Sequence, residues 1–318
     1  MRRWIWIAAA ALVVGGCRSE QRASVAADAS SSPAIDVKKL VDDVARGIEA
    51  HYVFPDVGAR MVAGMRARAE KGAYDAFASA DDLAARITDD LRAVSKDRHM
   101  MLEHFDEPPP PMGMPASADH GIHRGDSTSA GVAVGVIDAF EPASTSRGAI
   151  AGVMSSVADA SALVIDLRED HGGDPDTVAL VASYLFDDAP VHLNDMFWHD
   201  DGSTQQFWTS PSVAGRRFGG KKPVFVLTSE QTFSAAEELA YDLQCLRRAV
   251  IVGATTKGGA HPVFVQALDG GFSLRVPTGR AINPITHTDW EGTGVVPDVP
   301  AASADALRVA LELAASKI

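Results

Sequence analysis

The feature that most constrains this chain is a series of short, unbroken apolar runs beyond residue 130. They read "GVAVGVI", "ALVIDL", "PVFVL", "AVIVG", "PVFVQA" and "FSLRV". Runs of this length bounded by Gly, Pro and polar residues predict strands, the purely apolar ones buried. Helical patterns separate several of them, near Asp176–Phe186 and Ser234–Leu246, with another at Ala304–Ala315. Strands alternating with helices predict an α/β core over residues 130–318.

Three amphipathic patterns precede that core. Leu40, Val41, Val44 and Ile48 share one face, Val57, Met61 and Met65 another, and Leu83, Ile87, Leu91 and Val94 a third, opened by Ser79 and the acidic pair Asp81–Asp82. They predict a small helical domain over residues 35–98. The connecting segment 99–129 carries a four-proline run and is expected to lack regular structure.

Residues 1–17 read as an export signal. Arg2 and Arg3 are followed by an apolar run from Trp4 to Val14, shorter than the ~20 residues of a membrane span. Val14-Gly15-Gly16-Cys17 looks like the lipobox of bacterial lipoproteins, which makes Cys17 the expected lipidation site and the membrane the expected partner. Residues 18–34 are small and polar, as a tether should be. Cys245 is the only other cysteine, so no disulfide framework is expected; on an apolar helix face it reads as a small buried hydrophobe. A net charge of −13 and the lack of a dense basic stretch exclude a nucleic-acid surface. The 46% hydrophobic content is ample for a sizeable core.

Chemistry concentrates at the junctions. Ser234 stands where "KKPVFVL" gives way to a helix, and Ser234 with Glu237 makes an S-x-x-E capping box. The same position suits a nucleophile, because free amides and the helix dipole there favour a developing negative charge. In "VIDLREDHGGDPDTVAL", Gly172 and Gly173 allow a tight turn and expose amides before a helix, consistent with an oxyanion hole or with an ordinary strand-to-helix turn. The spacing matches neither a P-loop nor a dinucleotide fingerprint, and no cofactor is expected. His120 and His123 form H-x-x-H with Asp126 behind, but in a Gly- and Ser-rich stretch and not along a helix, so metal binding is the lesser reading and no metal is expected. Glu291 lies in the turn-rich "HTDWEGTGVVPDVP", where it is solvated unless it orients a histidine.

In order, "DRH", "VIDLREDHGG", "TFSAAEELAYDLQCLRRAVIVGATTKGGAHP" and "EGTGVVPDV" resemble one serine peptidase family. Its members include C-terminal processing proteases, the tricorn core protease and interphotoreceptor retinoid-binding protein. The resemblance runs from about Ile35 to the C-terminus, and the helical unit resembles that of the retinoid-binding-protein branch, without a PDZ domain. It implies a crotonase/ClpP-like α/β core and makes Ser234 the nucleophile. It implies His99 as base and Glu291 as the group that orients it, with the amides of Ala235 and of Gly172 or Gly173 holding the oxyanion. The tricorn pattern has Ser where Arg98 stands. In the C-terminal processing branch the base is a Lys, and its position falls on Gly259; Lys257, two residues earlier, is the alternative base. The expected function is that of a lipid-anchored serine peptidase of the bacterial envelope, acting on peptides or unfolded protein segments. The alternative is a non-catalytic binder of a small hydrophobic ligand or partner protein on the same fold.

Overall fold

The computed structural model describes residues 35–106, 118–126 and 131–318. Cys17, the tether and the proline run lie outside the described residues. Three helices come first: α1 (Val37–His51), α2 (Pro55–Glu70) and α3 (Ala80–Ser95). Asp36 caps α1 by accepting from the Lys39 amide at 3.0 Å, and Ser79 caps α3 by accepting from the Asp82 amide at 3.1 Å. The strands β1 (Met101–His104), β2 (Ile122–Gly125) and β3 (Val132–Ile137) follow, then α4 (Ala143–Val157), β4 (Ala162–Asp166) and α5 (Pro175–Ser183). Next come β5 (His192–Trp198), β6 (Thr204–Trp208), β7 (Val224–Thr228), α6 (Ala235–Cys245) and β8 (Val250–Gly253). The chain ends with β9 (Val263–Ala267), β10 (Phe272–Pro277), β11 (Gly279–Ile282), β12 (Val299–Pro300) and α7 (Ala306–Ala315). Among the described residues, no helix is long and apolar enough to cross a membrane.

The largest sheet has the order β12-β8-β7-β4-β3-β2. Every neighbouring pair is parallel except β2 with β3. Its side chains divide by parity. Leu163, Ile165, Val224, Val226 and Ile251 pack in one core with residues of α4, α5 and α6. Val164, Phe225, Leu227 and Val252 pack in another with Ala306, Ala310 and Ala314 of α7. Helices thus cover both faces, which is why these strands read as unbroken apolar runs and not as alternating ones. A second sheet, β11-β5-β6, is antiparallel and adds Leu193, Met196, Phe207 and Ala281 to the first core.

The third sheet, β1-β10-β9, shares a core with the three N-terminal helices: Leu102, Phe272, Leu274 and Val276 pack with Val44, Ile48, Leu83, Ile87 and Leu91. The connecting segment therefore does not lack regular structure, since it supplies β1 and β2. Leu102 of β1 pairs opposite Leu274 of β10, a partner so distant in sequence that no local pattern announces it.

Leu227 of the central strand β7 is fully buried. Leu227→Ala is expected to cost about 2–5 kcal/mol through lost burial and the cavity left behind, read as a lower urea midpoint.

Candidate active site

Strands β4 and β7 are parallel neighbours, so the turns that leave their carboxyl ends lie side by side. The two turns are laced together. Leu167 N–H donates to the Leu227 carbonyl at 3.1 Å, Thr232 Oγ1 to the Leu167 carbonyl at 2.8 Å, and Phe233 N–H to the Asp170 carbonyl at 3.1 Å. The second turn delivers Ser234 to the first position before α6 with φ +57° and ψ −122°. A side chain rarely adopts that backbone, and holding it costs of order 1–3 kcal/mol unless the surroundings enforce it.

Glu237 provides part of that enforcement. Its side chain is fully buried, and its Oε2 accepts the Ser234 amide at 2.9 Å, which is the carboxylate half of the capping box. The same carboxylate accepts the Gly258 amide at 2.6 Å, the Gly259 amide at 2.8 Å and the Thr256 hydroxyl. Burial pushes the pKa of its carboxyl above the ordinary Glu range, and these four donors oppose the rise. The loop after β8 is thereby fixed to the start of α6.

Gly172 (φ +104°) presses on the same point. A Cβ placed there would stand 2.6 Å from Ser234 Cβ and 2.9 Å from the Ala235 nitrogen, so only glycine fits. Its amide is already committed, donating to Asp170 Oδ1 at 2.7 Å. Burial lifts the Asp170 carboxyl to about 8, against that bond, and the Asp138 charge adds to the rise. Among the described residues, the amides of Gly173 and Ala235 donate to no protein group. Of the two glycines, Gly173 has the free donor.

His99 follows α3 and lies partly buried, its ring stacked on Phe233 with centroids 4.4 Å apart. A Cβ on Gly259 would meet both rings, 2.6 Å from His99 Cε1 and 2.2 Å from Phe233 Cε2. Burial pushes the imidazole down to about 4; the Asp97 charge opposes this, while the charges of His261, Arg275 and Arg92 add to it. His99 Nδ1 is buried without a hydrogen-bond partner. Lys257 is exposed, and its Nζ stands 5.0 Å from the centre of the Phe233 ring. Arg98 points into solvent.

Glu291 approaches from the far end of the sequence. Its Oε2 accepts the Ala260 amide at 2.6 Å and lies 3.6 Å from His261 Nδ1. The dipole of the Arg98 backbone amide, next to His99, favours the charge on this carboxylate. Glu291 Oε1, like His99 Nδ1, is buried and unpartnered. Burial and the Asp97 charge raise the Glu291 carboxyl to about 7, opposed by His261.

Two residues absent from the sequence reading belong to this group. Asp97 Oδ2 lies 2.6 Å from His261 Nδ1, and its Oδ1 accepts the His99 amide at 3.0 Å. Asp97 lies in "DRH" and His261 in "KGGAHP", and nothing local couples them. Asp97, His261 and Glu291 offer ligand atoms within 4.8 Å of one another. The 2.6 Å nitrogen–oxygen separation is nevertheless that of a charge-assisted hydrogen bond, with a proton between the atoms. Two ligands on a zinc ion at about 2.1 Å each would stand roughly 3.3 Å apart. His120 and His123 do not share a ligand: His120 pairs with Glu141 at 3.0 Å, and His123 lies 3.4 Å from Asp138 and 3.5 Å from Asp119.

The profile of peptidase family S41 matches residues 132–301, and that of the N-terminal domain of peptidase S41 in eukaryotic IRBP matches residues 34–125. Carboxyl-terminal-processing peptidase 2, chloroplastic, of Arabidopsis thaliana is 32% identical over 141 residues, 44% of this chain and 26% of the relative, so the chain spans about a quarter of that protein's length. A putative peptidase from Parabacteroides merdae superposes with a TM-score of 0.61 at 16% identity, covering 87% of this chain and 96% of the other. A lipoprotein from Streptococcus agalactiae gives 0.60 at 13% identity, covering 88% and 96%; both are likenesses of fold. With its profile matched over more than half of its length, the chain belongs to peptidase family S41.

Proposed function

We propose that this protein is a lipid-anchored serine peptidase that cleaves peptides or unfolded protein segments in the bacterial envelope. The observation that carries the reading is the backbone of Ser234, held at positive φ at a helix start beside the unused amides of Ala235 and Gly173. Strain of this kind is kept where function needs a side chain presented in one direction.

In the proposed reaction, Ser234 Oγ attacks the scissile carbonyl carbon while His99 takes the hydroxyl proton. The carbonyl oxygen becomes an oxyanion between the Ala235 and Gly173 amides, each worth about 3–4 kcal/mol in the transition state. The carbon–nitrogen bond then breaks, and His99 returns its proton to the departing amine. Water hydrolyses the acyl-serine by the same steps. Because burial keeps His99 neutral well below its ordinary range, it is available as a base across the physiological range. Its unpartnered Nδ1 and the unpartnered Glu291 Oε1 are complementary, and closure of that bond on substrate binding would fix the tautomer. Lys257 is less suited to be the base, because a catalytic lysine is made neutral by a desolvating pocket and this one is exposed over the Phe233 ring.

The full chain in detergent is expected to cut members of a diverse peptide library, read by mass spectrometry, with Ser234→Ala and His99→Ala each lowering kcat by roughly 10⁴-fold or more while the fold persists. If the wild type cuts nothing and Ser234→Ala merely costs the ~1 kcal/mol of a lost cap, the serine is structural and the ligand-binding reading replaces this one. Gly172→Ala is expected to abolish cleavage by displacing Ser234, with a stability loss of order 1–3 kcal/mol in thermal melts. Cys17→Ser should shift the protein from the membrane to the soluble fraction of a bacterial lysate, because one acylated cysteine is the whole anchor in this reading.

A further inference from the structure

Beside the proposed triad lies a second histidine whose surroundings are more ionic than those of His99. His261 and Asp97 are 5% and 2% exposed, so water does not solvate their charges. The ring of His261 packs edge-on against Phe54, with centroids 5.5 Å apart, and its Nδ1 faces Asp97 at 2.6 Å and Glu291 at 3.6 Å. Tyr52 adds a phenol 3.4 Å from Asp97 Oδ2. Nothing in the proposed reaction uses His261 directly.

We propose that His261 is a positioning residue: as an imidazolium between Asp97 and Glu291, it keeps Glu291 ionised and turned toward His99. The proposal rests on the Ser234–His99–Glu291 reading and adds to it a group that never touches substrate.

Two buried carboxylates this close repel, and without a cation between them one takes up a proton. Burial pulls His261 toward neutrality, but its hydrogen bond with Asp97 and the charges of Asp97, Glu291 and Asp289 outweigh this and raise it above its ordinary value. The remaining charges around the group do not replace it. Arg92 and Arg275 act on His99, Arg98 reaches Glu291 through its backbone, and Tyr52 contributes a neutral phenol. Asp97 also accepts the His99 amide, so one carboxylate ties the base's backbone to the cation that governs its partner. A protonated Glu291 cannot stabilise the imidazolium that His99 becomes during attack. The acid limb of the reaction is therefore set by Glu291, whose carboxyl lies near 7, and His261 determines where that limb falls.

The test is the rate of Ser234 labelling by a fluorophosphonate between pH 5 and 9, using the full chain in detergent. His261→Asn keeps a donor near the Nδ1 position and removes the charge. It is expected to move the acid limb of kinact to higher pH by about one unit, leaving KI unchanged; at pH 7 such a move lowers the ionised fraction of Glu291 from about one half to about one tenth. Asp97→Asn removes the like charge but also the chief support of the His261 charge, so its effect is read where His261 is already Asn: there it should move the limb back to lower pH, leaving the double variant near the wild-type limb. Structural damage does not predict that rescue. If the wild type labels and a folded His261→Asn leaves the limb unmoved, the positioning role is overturned and the hydrolase stands. If His261→Asn does not fold, His261→Gln, whose amide also donates without carrying charge, takes its place with the same shift expected. If wild-type Ser234 is unlabelled at every pH, the hydrolase reading falls and this role falls with it.

Discussion

The arrangement of this site depends on one buried carboxylate. Glu237 gathers the amides of Ser234, Gly258 and Gly259 and the hydroxyl of Thr256. A fully buried anion without partners would be costly, and these donors satisfy it. In doing so they fix the backbone that presents Ser234, and they fix the loop that brings Gly259 against His99 and Phe233. Thr256 extends the same network, since its Oγ1 accepts the Val295 amide at 2.7 Å and so draws the segment after Glu291 against the loop. Nucleophile turn, loop and distal segment become one rigid assembly, which is the condition for holding a strained residue in place.

The helical N-terminal region is joined to this assembly in two ways. Its apolar face closes over β10, so the helices and a strand from late in the chain share one core. Its polar contribution is Asp97, which binds the His99 amide on one oxygen and His261 on the other. Burial then divides the ionisable groups by neighbour. His99, with an apolar ring on one face, is driven toward neutrality, while His261, between carboxylates, is driven toward charge. Two imidazoles in one site thus acquire opposite tendencies from their surroundings alone.

Much of the fold was legible because its signals are local. The parallel strands are covered on both faces and are therefore apolar throughout, and the cap Ser79 announces its helix within three residues. Elements whose pattern is mixed were not legible. Helix α4 is built largely of small residues and buries only Ser146, Ile150, Met154 and Val157, a faint stripe. Strand β5 carries the polar, wholly buried Asn194, whose burial is explained only by Glu238 of α6 at 3.3 Å. In the site, the positions of Ser234 and Glu237 follow from an i, i+3 pattern, whereas the choice between the Gly172 and Gly173 amides depends on where Asp170 points.

The sequence by itself determined the unbroken apolar strands and the amphipathic helices, that a serine sits at a strand-to-helix junction, and that two glycines follow another strand. These are properties of residues within one turn or one strand of each other, where the chain's own geometry fixes the distances. Only the tertiary structure decided that Glu237 binds a loop as well as a cap, that Asp97 meets His261, and that Glu291 joins them rather than standing in solvent. Those contacts join segments whose separation is closed by the burial of cores elsewhere, and the energy that brings them together carries no trace in the residues that meet.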